Sequence, residues 1–156
     1  MTGLRRLALA ALPALMLAPF RAPAAEVSII GRWEIVEAAA APWTKADEQA
    51  ALAAEAKRML HLAITFRTQE VSSNNKLFTC KRGVVYESNE LEVDSIFEGN
   101  LPEPNPAATA ARMGFAKGTI PGVDVKCFNA QFSFHFRDPN TALINLNSVI
   151  YTLKRR

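Results

Sequence analysis

The chain has 156 residues, with 18 Lys and Arg against 15 Asp and Glu. Three of the basic residues, Arg5, Arg6 and Arg21, stand in the first 24 positions, where there is no acid, which leaves 15 of each sign in the remainder. A balanced remainder gives no ground for a nucleic-acid or anionic-membrane partner, and about 132 residues suit one domain with a true core.

Residues 1–24 have the pattern of an export signal. Arg5 and Arg6 form a positive start, residues 7–20 are apolar, and Ala22 and Ala24 supply the two small positions of an A-x-A cleavage site. The apolar stretch is shorter than the roughly 20 residues needed to span a bilayer, so no stable membrane insertion is expected after cleavage. The Arg pair allows a twin-arginine route, but its flanks depart from that pattern and the general secretory route is expected. Residues 25–156 are then a single domain in the periplasm or outside the cell.

In chain order, residues 30–38 alternate as a first strand, with Trp33 and Ile35 on one face. Residues 44–60 read as the one long helix. The stretch after Thr44 is Ala-rich and free of Gly and Pro up to residue 60, Thr44 is a natural N-cap, and Leu52, Ala56, Met59 and Leu60 make one apolar stripe. From Leu62 the period becomes two, with Ile64 and Phe66 alternating with Thr65 and Arg67. A Ser-Ser-Asn-Asn turn at 72–75 precedes strands expected at 76–80 and 84–91. Residues 97–106, with three prolines, form a loop, and Asn105 caps a short helix that starts at Pro106 and ends at Gly114.

Residues 119–129 read as a strand kinked at Pro121-Gly122. Phe132, Phe134 and Phe136 share one face of the next strand, with Ser133, His135 and Arg137 opposite. A turn at Asp138-Pro139-Asn140 leads to residues 141–153, thirteen positions without a charge. Such a run on an open edge invites aggregation, so it belongs in the middle of a sheet. The pattern predicts a mainly β domain, a small antiparallel β-barrel with one helix between its first two strands.

Two cysteines, Cys80 and Cys127, in an oxidising compartment favour a disulfide, closing a loop worth about 4 kcal/mol by chain entropy. Free thiols or a redox pair are the alternatives, although no C-x-x-C spacing is present.

Gly31-Arg32-Trp33 at the start of the first strand resembles the lipocalin and wider calycin pattern. The resemblance implies a calycin-like barrel in which Trp33 packs across one end and Arg155, just after the last strand, stacks on it. A helix between strands one and two is also similar to fatty-acid-binding proteins, whose helices lid the barrel. Gly31-Arg32-Trp33, Ala41-Pro42-Trp43, Ile96-Phe97-Glu98-Gly99 and Ile150-Tyr151-Thr152-Leu153 together resemble exported bacterial proteins, a likeness that implies no activity.

Signals for catalysis are sparse. His61 and His135 are the only histidines, below the three or four ligands of a zinc site, so no metal and no cofactor are expected. His135 faces solvent or a polar partner. No G-x-S-x-G or phosphate-cradling Gly loop occurs. The acidic run Glu87, Glu90, Glu92, Asp94 could supply a carboxylate pair for a glycan-acting enzyme, yet fits a solvated edge better. The expected function is binding, not catalysis. One partner is a small hydrophobic ligand lined by Phe132, Phe134 and Phe136 under the helix. The other is an envelope protein, such as a cell-wall hydrolase held by an inhibitor whose contact element is the 97–106 loop.

Overall fold

The computed structural model describes residues 27–97, 106–115, 118–128 and 130–156. The export signal, the Asn105 cap and most of the 97–106 loop lie outside these residues. The elements are β1 (Gly31–Ala40), α1 (Ala46–Lys57), β2 (Ala63–Phe66), β3 (Val71–Ser73), β4 (Val85–Glu92), α2 (Pro106–Arg112), β5 (Thr119–Cys127), β6 (Ala130–Asp138), β7 (Thr141–Leu146) and β8 (Val149–Arg155). Two 3-10 turns, Lys76–Phe78 and Val93–Phe97, flank β4.

The eight strands make one antiparallel sheet in the order β3-β2-β1-β8-β7-β6-β5-β4, curled into a half-barrel. The fold is mainly β with α1 between the first two strands, as the alternation predicted. The uncharged 141–153 run becomes β7 and β8, which sit mid-sheet. Pro121 lies one residue outside the β5–β6 ladder, which begins at Gly122↔His135. Its missing N–H therefore falls where β5 has β4 alone as a neighbour.

The two ends of the sheet, β3 and β4, do not pair, but side chains join them across the gap. Cys80 bridges to Cys127 with Cα atoms 6.1 Å apart, Tyr86 Oη donates to the Arg67 carbonyl at 2.7 Å, and the Phe78 and Phe132 rings lie 5.3 Å apart. Val71 and Cys80 add one isolated antiparallel bridge. A covalent bond and an aromatic contact thus do at this seam what a hydrogen-bonded ladder does elsewhere.

Both faces of the sheet are buried. The inner core holds Trp33, Ile35, Phe66, Phe134, Phe136 and Leu153, with Ala56 and Met59 joining it and Leu52 packed against it. The predicted stripe of α1 therefore does meet the interior. The outer face carries a second core, in which Val93, Ile96 and Phe97, with Ala110 of α2 and Phe115 beyond it, cover Ile120, Leu143 and Ile150. β8 accordingly buries alternate residues on opposite sides, Tyr151 and Leu153 inward, Ile150 outward.

Three local expectations are corrected. Lys76–Phe78 is a 3-10 turn, not a strand, because the Asn75 side chain accepts a hydrogen bond from the Leu77 N–H at 2.9 Å and tightens the chain. Thr44 does not cap α1. Lys45 occupies that position without a side-chain bond, and the buried Thr44 hydroxyl has no partner. The helix closes at Lys57, and His61 at φ +64° turns the chain toward β2. The 141–153 run, mid-sheet as expected, is folded as a hairpin, since Asn147 (φ +50°) and Ser148 (φ +61°) form a two-residue turn between Leu146 and Val149.

Candidate functional site: a slot between β6 and β7

The β6–β7 ladder is short. It runs from Asp138↔Thr141 to His135↔Leu143 and stops, although β6 begins at Ala130 and β7 continues to Leu146. Beyond His135 each strand keeps its other neighbour, β5 for β6 and β8 for β7. The two therefore splay, and main-chain groups on their facing sides lose a ladder partner. A pocket of about 200 Å³ occupies this gap, lined by Leu91, Ser95, Ile96, Gln131, Phe132, Ser133, His135, Ile144, Asn145 and Leu146.

The polar groups of the slot come from three elements. β6 alternation points Ser133 and His135 to the outer face, opposite Phe132 and Phe134. The Val93–Phe97 turn brings Ser95 over them, anchored because Val93, Ile96 and Phe97 are buried in the outer core. Ser95 Oγ then lies 3.0 Å from His135 Nε2. Ser133 Oγ donates to Asp124 Oδ1 at 2.6 Å, and Asn89 Nδ2 donates to Asp124 Oδ2 at 3.0 Å. The carboxylate is thereby held on β5 by two side chains.

His135 is only 5% exposed. Burial drives its pKa down to about 4, against smaller upward pulls from the Asp124 charge and the Ser133 main chain. The ring is therefore neutral at pH 7. Its Nδ1 makes no hydrogen bond of good geometry, and the Ser133 main chain is the polar group nearest to serving it. Asn145 Oδ1 is a second buried atom without a partner. Buried polar atoms are ordinarily satisfied, and these two, both on residues lining one pocket, are left for whatever fills it, water included.

Other groups are placed differently. Phe134 and Phe136 pack edge-on against Phe66 and Trp33, with centroids 5.4 and 5.9 Å apart. Phe132 alone of the three also lines the slot. The Arg155 guanidinium lies 4.5 Å from the Trp33 ring centroid, and Trp33 Nε1 donates to the Ile29 carbonyl at 2.7 Å. Gly31 holds φ +133°, and a Cβ there would stand 2.7 Å from Arg155 Nη1. Cys80 and Cys127 form the disulfide at the seam. His61 is exposed and meets Glu34 at 3.0 Å.

Of the two placements expected for His135, solvent or a polar partner, the structure has the second. Ser95 is the polar partner, and the layer over β6 leaves His135 5% exposed. Glu90 and Glu92 are exposed on β4, Glu87 pairs with Lys126, and none of the three lines the slot. The Asp94 side chain lies outside what is described. Phe97 is buried in the outer core, so the described part of the expected contact loop is packing. A separate groove between α2 and β1 involves Ala39, Arg112, Met113 and Ile150.

Sequence reasoning missed Ser95 and Asn145 as site residues. One signal was available for the layer that buries them. A charge-free run of thirteen residues implies a strand pair buried on both faces, hence a second layer over the polar side of β6. No family model matches this chain, and neither does any curated protein or solved structure.

Proposed function

We propose that this protein is exported and acts by binding a small ligand in the slot between β6 and β7. The observation that carries the reading is the interrupted ladder with a pocket of about 200 Å³ and a buried, neutral His135 on its wall. Concave sites with an apolar lining and a few convergent polar groups are the usual form of a small-ligand site. Phe132, Ile144 and Leu146 supply the apolar side, and Ser95, His135 and Asn145 supply the polar side. Export rests on the charge and small-residue pattern of residues 1–24, and the Cys80–Cys127 bridge is compatible with an oxidising compartment.

Native mass spectrometry of the protein recovered from the periplasm tests this reading. A retained small molecule, released on gentle activation, is the expected result. The denatured mass also reports cleavage after Ala24. A protein that stays in the cytoplasm with its leader intact would end the export reading, and a uniformly ligand-free ion would count against the binding reading.

A second reading, a protein-binding module such as an inhibitor of a cell-wall hydrolase, draws on one specific feature. Phe128, beside Cys127 at the β5–β6 turn, is 100% exposed, and Val85 and Leu77 are also exposed. Exposed apolar side chains near one another favour a partner surface. Capture of an envelope hydrolase by the protein, lost on Phe128→Ser, would support it.

A further inference from the structure

We infer that the slot between β6 and β7 takes a neutral, polyhydroxylated ring, one sugar unit in size. The inference rests on the small-ligand reading above and adds the chemical class of the ligand.

Size sets the first limit. About 200 Å³ corresponds to roughly seven waters at about 30 Å³ each. That volume admits one six-membered ring with its substituents and excludes a lipid chain or an oligomer lying wholly inside.

Charge sets the second. Among the described lining residues there is no Lys, Arg, Asp or Glu, and Asp124 behind Ser133 is already bonded to two side chains. An anionic ligand would find no counter-charge on the wall, and a cation would have only a carboxylate held by other partners. A net charge without a partner is costly to bury.

Hydrogen-bonding type sets the third. The polar lining consists of hydroxyls (Ser95, Ser133), primary amides (Gln131, Asn145) and a neutral imidazole, each able both to donate and to accept. His135 Nε2 meets the Ser95 hydroxyl, its Nδ1 makes no hydrogen bond of good geometry and is donor or acceptor according to the tautomer, and Asn145 Oδ1 has nothing to accept. A group that accepts and donates at once, a hydroxyl, suits either atom in either tautomer. Phe132 and Ile144 face the same space and suit the C–H faces of a ring, so the wall is two-sided in the way a sugar is.

The test is a two-dimensional ¹H–¹⁵N NMR titration of the purified protein with glucose, galactose and N-acetylglucosamine, and separately with phenol, an aromatic ring of similar size that carries a single hydroxyl. Saturable shifts at Ser95, Ser133, His135 and Asn145 with at least one sugar are expected. Ser95→Ala and Asn145→Leu should each weaken that sugar roughly tenfold, the scale of one lost hydrogen bond, and the unliganded spectrum of each variant shows whether it is folded. Saturation of the same residues by phenol and by no sugar would overturn the ligand class and leave the small-ligand reading standing. No saturable shift with any of the four would overturn both.

Discussion

Arg155 and Trp33 face each other in the β1–β8 register, and the guanidinium lies 4.5 Å from the indole centroid while Nη1 donates to the Ile30 carbonyl at 2.7 Å. Further donations reach the Ser28 and Pro139 carbonyls. One side chain therefore holds the approach to β1, the rim of the core and the β6–β7 turn together.

Arg155→Ala is expected to lower stability by about 1–3 kcal/mol, from the lost stacking and main-chain bonds. Arg155→Lys should recover less than half, because an ammonium cannot fork to several carbonyls. Gly31→Ala should cost more in the native background than in Arg155→Ala. The clash at Nη1 disappears in the second and the strain of φ +133° remains. Urea midpoints of the four proteins measure the coupling, and strict additivity would refute the contact.

The buried imidazole makes stability fall with acid. In the unfolded chain His135 takes up a proton near pH 6.5, and in the folded chain only near pH 4. The unfolded state binds more protons in that window. The contribution is thus complete above pH 6.5 and is lost as pH falls toward about 4, by about 3 kcal/mol in all. Carboxylates add to acid lability at lower pH. Glu34, held below its ordinary range by hydrogen bonds from His61 and then Arg156, is one of them. Chemical denaturation between pH 6.5 and 5, run beside the same series for His135→Asn, measures this histidine's share, and the variant's profile should be flatter there.

Reduction of the Cys80–Cys127 bridge should cost about 4 kcal/mol, the loop-closure entropy of a 47-residue separation. The loss should be local in its first effect. Amide exchange should rise in β3 and β4, which are edge strands with a ladder on one side alone, before it rises in β7 and β8. Uniform loosening across all strands would contradict that role for the bridge.

Ser148→Gly should stabilise the protein by about 0.4–1 kcal/mol. Ser148 sits at φ +61° in the β7–β8 turn, a region Gly enters without a Cβ penalty. The Trp43 Nε1 bond to Ser148 Oγ, 3.4 Å long, is weak enough to be lost at small cost. A lowered melting temperature would mean that this bond matters more than its length implies.

What could be read in advance follows physical locality. The α1 face was legible because Leu52, Ala56 and Met59 recur at helical spacing in an Ala-rich segment. The stacking of Arg155 on Trp33 was expected from residues in the first and last strands, and the two do meet. Lys76–Phe78 was not, since an Asn75 side-chain bond overrode the neighbouring residues' strand preference. The Asn147-Ser148 turn was hidden because it lacks the glycine that usually marks it. The slot had no local signal at all. It arises where β6 stays with β5 and β7 stays with β8, a choice between neighbours that neither strand's own residues reveal.

The adjacency of β1 and β8 has a consequence for the order of events in the cell. Trp33 cannot meet Arg155 until more than a hundred intervening residues have been made, and such distant contacts form slowly because the long loop must close first. A nascent chain with β8 still inside the ribosome cannot join β1 to the β4–β7 half of the sheet. Under the export reading proposed above, it would meet the membrane before that joining strand is in place.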